Sequence, residues 1–188
     1  MRIGLYGGTF DPIHNGHLHV ITQLIERKLV DHLLVLPAGE PRLRDQAPVA
    51  QGADRRAMCQ QAINSLPAEI KSRVEVNPIE ILREGPSYSI DTVEAVAATY
   101  PGDQLVLIVG SDAYEKIDQW HRAEELKKMV EFIVIDRPGF ASQSRNGVST
   151  HDIGAIEVSA TEIRSGSSQE VPAAVAAYIK EHNLYASK

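Results

Sequence analysis

Six short apolar runs punctuate this chain, at residues 3–6, 32–36, 74–76, 105–109, 132–135 and 155–158, and several are apolar at nearly every position. A strand with one wet face alternates apolar and polar residues. A strand apolar throughout is buried on both faces, which is the habit of parallel sheets covered by helices on each side. Between the runs, apolar residues recur three or four apart. Leu18, Ile21, Leu24 and Ile25 form one such stripe, Ala57, Met58, Ala62 and Ile63 a second, Ile90, Val93, Val96 and Ala97 a third, and Ala123, Leu126 and Met129 a fourth. Each predicts an amphipathic helix. Alternating strand and helix implies an α/β, Rossmann-like three-layer sandwich with a mostly parallel sheet. After Ser159 only helix is expected, a small C-terminal segment ending in a helix at 171–181 with Asn183 as its C-cap. Residues 140–152, rich in Ser, Gly, Asn and Arg, read as a surface loop, and 39–52 as a second long loop. No internal repeat is present. The chain is read as one domain over 1–188, with 159–188 as its C-terminal helical part.

Lys and Arg number 19 against 25 Asp and Glu, a net charge of -6. Such a surface has no general attraction for nucleic acid or anionic lipid, so neither is an expected partner, and any anion site must be local. A single cysteine excludes an internal disulfide. No apolar run approaches the length of a bilayer span, and the N-terminus enters a strand with no signal peptide, so a cytoplasmic location is expected. Composition leaves a homo-oligomer open.

The first strand runs into Gly7, Gly8, Thr9, Phe10, Asp11, Pro12, Ile13, His14, Asn15, Gly16 and His17, and then into the first helical stripe. Strand, glycine turn and helix follow in that order. The glycines are expected to let the backbone turn and approach a ligand, and Pro12 to stiffen the loop. Two imidazoles arrive at a helix start, where unpaired N–H groups and the positive dipole end favour an anion. Neither Gly-x-Gly-x-x-Gly nor Gly-Lys-Ser/Thr occurs, which disfavours a dehydrogenase or a P-loop kinase. Half a zinc site, with Asp11 as a third ligand, and simple helix capping remain as alternatives, though Cys59 is distant and no second metal-like cluster appears.

A second cluster follows the last expected strand. Ser159 has the form of an N-cap, and Glu162 three positions on would complete a capping box. Ligands of open α/β sheets bind outside the carboxyl ends of the strands, so Ser159, Thr161 and Arg164 would face the crevice of His14 and His17. A plain capping box with a surface arginine is the competing reading. Gly110 and Asp112 repeat the pattern of strand, glycine and acid, and Asp112 is either a contact to a ribose diol or a helix N-cap. Arg137 brings a cation to the rim, as an isolated surface arginine also would.

The loop His14-Asn15-Gly16-His17, preceded by Gly7-Gly8-Thr9-Phe10, resembles the signature of the nucleotidyltransferase superfamily built on a His-x-Gly-His loop. Ser159, Thr161 and Arg164 resemble its Ser-x-Thr-x-x-Arg motif, which holds the β- and γ-phosphates of a nucleoside triphosphate. Within that superfamily, the segments 85–93, 118–121, 137–140 and 178–185 resemble bacterial nicotinate-nucleotide adenylyltransferases. The resemblance implies ATP and nicotinate mononucleotide as substrates, deamido-NAD and pyrophosphate as products, a place in NAD biosynthesis, and Mg2+ carried by ATP rather than by a protein metal site. It implies catalytic roles for His14, His17 and Arg164, and ATP contacts from Gly7, Gly8, Thr9, Phe10, Gly110, Asp112, Ser159 and Thr161. On the acceptor side it implies Ser87, Tyr88, Ile90, Thr92, Trp120, His121 and Arg137. The physics agrees: Trp120 offers a flat face to a cationic pyridinium, and a helix beginning at Ser89 would aim the Ile90 N–H at the nicotinate carboxylate. Two segments depart from the family. Glu40-Pro41-Arg42-Leu43-Arg44 replaces a common Pro-Pro-His-Lys, and Ser89 replaces a threonine while keeping the hydroxyl. A pantetheine-phosphate adenylyltransferase and a nucleotide-binding regulator without turnover are the rival readings.

Overall fold

The computed structural model describes residues 1–41, 47–136, 148–154 and 158–186. Its main sheet is built from β1 (Arg2–Gly8), β2 (His32–Pro37), β4 (Val74–Val76), β6 (Gln104–Gly110), β7 (Glu131–Ile135) and β8 (Ser149–His151). They lie in the order β4-β2-β1-β6-β7-β8, and every pairing is parallel. Counting only these six, the order is 3-2-1-4-5-6, that of a doubly wound dinucleotide-binding sheet. The winding reverses between β1 and β6. Tyr6 pairs with Ile108, so the ends of those two strands, Gly7–Gly8 and Val109–Gly110, lie side by side at the switch point.

The runs of β1, β2, β6 and β7 divide their side chains between two cores, which is why they are apolar nearly throughout, whereas Val74 and Val76 of β4 both face the first core and Glu75 is exposed. Leu33 and Val35 of β2, Val106 and Ile108 of β6, and Ile133 and Ile135 of β7 face one core. That core is closed by α1 (Asn15–Glu26), α2 (Gly52–Asn64) and Val175 of α9 (Ala173–Glu181). Leu34, Leu36, Leu105, Leu107, Val109, Phe132 and Val134 face the other, closed by α5 (Ser89–Thr99) and α7 (Ala123–Met129). On β1, Ile3 and Leu5 serve the second core, while Gly4 faces the first because a Cβ there would lie 2.7 Å from Leu33 Cδ1. The bulk at that spot comes from its neighbours.

Several short elements escaped the sequence pattern. Four-residue helices α3 (Ala68–Lys71), α4 (Ile79–Leu82) and α6 (Ser111–Tyr114) are too brief to show a period. A two-stranded parallel ladder, β3 (Glu40–Pro41) with β5 (Pro86–Ser87), lies at the start of the expected 39–52 loop. Strand β8 falls inside the expected 140–152 loop. Among the described residues it is an edge strand paired with β7, so its Ser149, Thr150 and His151 need no two-sided apolar cover. The strand expected at 155–158 lies almost wholly outside the described residues. At the C-terminus the C-cap of α9 is His182, and Asn183 stands one position beyond at φ 51°, the left-handed residue that commonly ends a helix.

Candidate active site at the carboxyl end of the sheet

The loop between β1 and α1 is shaped by Phe10 rather than by its glycines. Phe10 has φ 49°, its ring is buried, and Gly8 makes room for it, since a Cβ on Gly8 would lie 2.8 Å from the ring. Gly7 and Gly8 themselves continue the strand, so the expected glycine turn is instead a strand end packed against an aromatic ring. A Cβ on Gly7 would meet nothing, leaving that strand end open to the crevice. Phe10 in turn supports His17 edge-on, with ring centroids 4.9 Å apart, and His14 stacks on His17 at 3.7 Å.

His14 is the N-cap of α1 and His17 its third residue, and the two form a reciprocal capping box. The His14 backbone N–H donates to His17 Nδ1 at 3.2 Å. A ring nitrogen that accepts an N–H carries a lone pair, so neutral His17 bears its proton on Nε2, the atom farther from the backbone. The Asn15 N–H, which the helix dipole would otherwise direct at an anion, donates to the carbonyl of Glu170 at 2.9 Å. That first amide of α1 is therefore already engaged within the protein.

The second cluster reaches the first directly. Arg164, at the end of α8 (Ala160–Arg164), donates from Nη1 to the Asp11 carbonyl at 2.7 Å and from Nη2 to Thr161 Oγ1 at 3.1 Å. Ser159 occupies the N-cap position, but its hydroxyl makes no capping bond, and the expected capping box is not formed. The Glu162 carbonyl accepts instead from the Ser167 and Ser168 amides, tightening the turn after the helix. Asp112 sits exposed in the first turn of α6, and Gly110 is that helix's N-cap.

Acceptor-side residues gather at the start of α5. Tyr88 is its N-cap and stacks on His121 at 4.4 Å. Ile90 is wholly buried in the first turn. The half-buried Trp120 packs against the second core, and its Nε1 is enclosed without a hydrogen-bond partner among the described residues. Two expected contacts are engaged within the protein. Thr92 is buried, with its hydroxyl donating to Glu80 Oε1 at 2.9 Å and accepting from Arg83 at 3.3 Å. Ser87 Oγ accepts from the Gly39 and Glu40 amides. Arg137, Arg42 and Arg44 lie outside the described residues.

Buried charges organise the site, and the sequence reading did not assign them that task. The Asp11 carboxylate, weighed above as a metal ligand, accepts from the Val49 amide at 2.7 Å, the Ala50 amide at 3.1 Å and the Tyr185 hydroxyl at 2.7 Å. Burial and that carboxylate push the Tyr185 hydroxyl up from the usual phenol value. Arg55, 2% exposed, donates to the carbonyls of Thr9 at 2.7 Å and Ala50 at 3.2 Å, and lies 3.4 Å from that of Gly39. Burial lowers its pKa against the pull of Asp11. Glu80 is pushed up by burial, opposed by hydrogen bonds from Thr92 and Ser87 and by the Arg83 charge. Cys59 is fully buried in α2, and burial raises its thiol above the ordinary value. Among the described residues no group of three or more His, Cys, Asp or Glu is placed to hold a metal ion. None of their helices is long and apolar enough to cross a membrane.

A doubly wound sheet with paired histidines at its switch point and an arginine closing over the same loop defines a nucleotidyltransferase, and the family model described as cytidylyltransferase-like matches residues 5–165. A probable nicotinate-nucleotide adenylyltransferase of Bacillus pumilus is 38% identical over 99% of both chains. The nicotinate-nucleotide adenylyltransferase of Bacillus subtilis is 33% identical over 99% of both. This chain belongs to the nicotinate-nucleotide adenylyltransferase family. Its fold is also that of the Plasmodium falciparum nicotinic acid mononucleotide adenylyltransferase complexed with NaAD, with a TM-score of 0.83 at 21% identity, covering 98% of this chain and 97% of that one.

Proposed function

We propose that the chain transfers the adenylyl group of ATP to nicotinate mononucleotide, giving deamido-NAD and pyrophosphate. The observation that carries the reading is the convergence of His14, His17 and Arg164 on one loop, in a chain related end to end to enzymes of that name. A 5'-phosphate oxygen of the mononucleotide attacks the α-phosphorus of ATP. The new P–O bond forms as the bridging bond to the β-phosphorus breaks, and its electron pair leaves on pyrophosphate. The nucleophile is already ionised near neutral pH, so no general base is required, and catalysis is positioning and charge stabilisation.

In this reading His17 donates from Nε2 to the α-phosphate, where charge accumulates in the transition state. His14 meets the phosphates alongside. The strand end at Gly7 and Gly8 and the backbone of Thr9 and Phe10 border the nucleotide, and Asp112 meets the ribose beside Gly110. Arg164, with Ser159 and Thr161, receives the outer phosphates, and magnesium enters with the triphosphate as MgATP. Ile90 and His121 N–H groups receive the nicotinate carboxylate while Trp120 stacks on the ring, flanked by Tyr88. Ser87 and Thr92 act one step back, fixing the ends of β5 and α5 through Gly39, Glu40 and Glu80.

Pyrophosphate release with ATP tests the reading, using nicotinate mononucleotide, nicotinamide mononucleotide or 4'-phosphopantetheine as acceptor. The acid mononucleotide is expected to exceed the amide by about tenfold or more in kcat/KM, since one charge-assisted hydrogen bond is worth about 1.5–3 kcal/mol. Equal turnover of acid and amide, or turnover of the phosphopantetheine alone, overturns the acceptor assignment. Turnover of none leaves only nucleotide binding.

A further inference from the structure

The residue after His121 holds a conformation that its side chain makes costly and a set of contacts that its side chain makes possible. Arg122 has φ 51° and ψ 42°, the left-handed region that glycine enters freely and that a residue with a Cβ enters only when its surroundings hold it there. Its guanidinium is engaged on two sides. Nη1 and Nη2 donate to the two carboxylate oxygens of Glu94, at 3.2 and 2.7 Å. Nε and Nη2 donate to the two oxygens of Glu125, at 2.9 and 2.6 Å. Isolated surface ion pairs contribute little, but a planar fork engaged bidentately by two carboxylates has a defined geometry as well as charge.

Those carboxylates belong to different elements. Glu94 lies in α5, one turn beyond Ile90, and Glu125 lies in the first turn of α7. Arg122 therefore ties the 120–122 turn to the helix whose first turn carries Ile90. The Tyr88–His121 stack makes a second tie between the same two pieces, nearer the helix start. With both in place, the Trp120 ring and the His121 amide have a fixed distance to the Ile90 amide.

We propose that Arg122 is a positioning residue for acceptor specificity: by clamping α5 to the 120–122 turn, it sets the spacing between the Ile90 and His121 N–H groups and thereby the preference for a carboxylate over a carboxamide. This rests on the acceptor site described under Proposed function. Arg122 touches no substrate. A carboxylate bridging two N–H donors is sensitive to their separation, whereas ring stacking tolerates small shifts, so loss of the clamp degrades acid selectivity more than overall binding.

Arg122→Gly is the informative variant, because it relieves the left-handed conformation while removing the fork. Arg122→Lys keeps the charge but not the bidentate geometry, and Trp120→Ala serves as a control on the acceptor site itself. For Arg122→Gly we expect KM for nicotinate mononucleotide to rise about fivefold or more. The acid-to-amide ratio of kcat/KM should fall by a similar factor, KM for ATP should stay within twofold, and the melting temperature should not fall enough to unfold the enzyme at the assay temperature. Arg122→Lys is expected to lie between Arg122→Gly and wild type. If Trp120→Ala raises the acceptor KM while Arg122→Gly leaves both acceptor KM and the acid-to-amide ratio unchanged, the clamp is refuted and the acceptor site stands. If neither variant alters acceptor kinetics, the acceptor site itself is misplaced and the inference falls with it. Equal losses for ATP and both acceptors would show that Arg122 serves general stability, which also refutes it.

Discussion

His17 keeps one ring nitrogen occupied by the His14 amide and is supported by Phe10 on one side and His14 on the other, so its other nitrogen is held in place before any substrate arrives. A preorganised donor of that kind is worth about a hundredfold or more in kcat when removed. His17→Ala should show that loss while the fold survives by circular dichroism, with the melting temperature lowered by no more than loss of a helix cap accounts for, and a variant with near-wild-type kcat would remove His17 from the mechanism. Tyr185→Phe isolates a different kind of contact. It deletes one hydroxyl donated to a buried carboxylate, and hydrogen bonds to charged groups contribute about 1.5–3 kcal/mol. A loss in that range on urea unfolding is expected, and a change below about 0.5 kcal/mol would mean that the bond is replaced by water. The histidines were legible because they stand in a dense motif at a strand-to-helix junction. Asp11 stood in the same motif without showing what it bonds, and Arg55 stood in an unremarkable helical stripe. Their partners lie far off in the chain, Asp11 with Tyr185 and Arg55 with Thr9, and periodicity carries no trace of such pairings.

At the scale of elements, α8, α9 and the residues that flank them brace the loop between β1 and α1. Arg164 bonds the Asp11 carbonyl, Glu170 receives both the amide and the side chain of Asn15, Tyr178 donates to Asp54 of α2, and Tyr185 donates to Asp11. Arg164 thus has two tasks in the proposed mechanism, the outer phosphates and the loop. Arg164→Ala is expected to weaken ATP binding by calorimetry at least tenfold more than nicotinate mononucleotide binding, and the reverse order would mean that the crevice is oriented the other way. The long apolar strands and helices α1, α2, α5 and α7 were legible because apolar residues recur three or four apart in each helix, although in α2 the buried Arg55 shares that inner face. The capping box at Ser159 was not realised, because a four-residue signature specifies a local option and not a requirement. Strand β8 was missed for the complementary reason: pairing with β7 makes it a strand, and nothing in its three residues does.

For the molecule as a whole, Glu80 ties stability to pH. Its pKa is raised in the folded state by burial, so the unfolded chain ionises it first. The stability associated with the protonated carboxyl is fully present below the unfolded value of about 4.3 and is lost as pH rises through the higher folded value. The melting temperature of wild type relative to Glu80→Gln should therefore fall as pH rises above about 4 and level off above the folded value. A relative stability that rises over that interval would show that the hydrogen bonds from Thr92 and Ser87 outweigh desolvation.

The strand order also dictates when the chain can begin to be itself. Because every ladder in the main sheet is parallel, no two neighbouring strands are joined by a tight hairpin, and each pairing waits for a crossover to be completed. The central strand is the most delayed. β1 is made before either of its neighbours, and β2 can cover one of its edges early, but the other edge belongs to β6, with Arg2 opposite Gln104. During synthesis the strand that leads into the histidine loop thus keeps an open edge until β6 has emerged. Until then, the two histidines have a helix to stand on and β2 alongside, but not the end of β6 that completes the switch point they face.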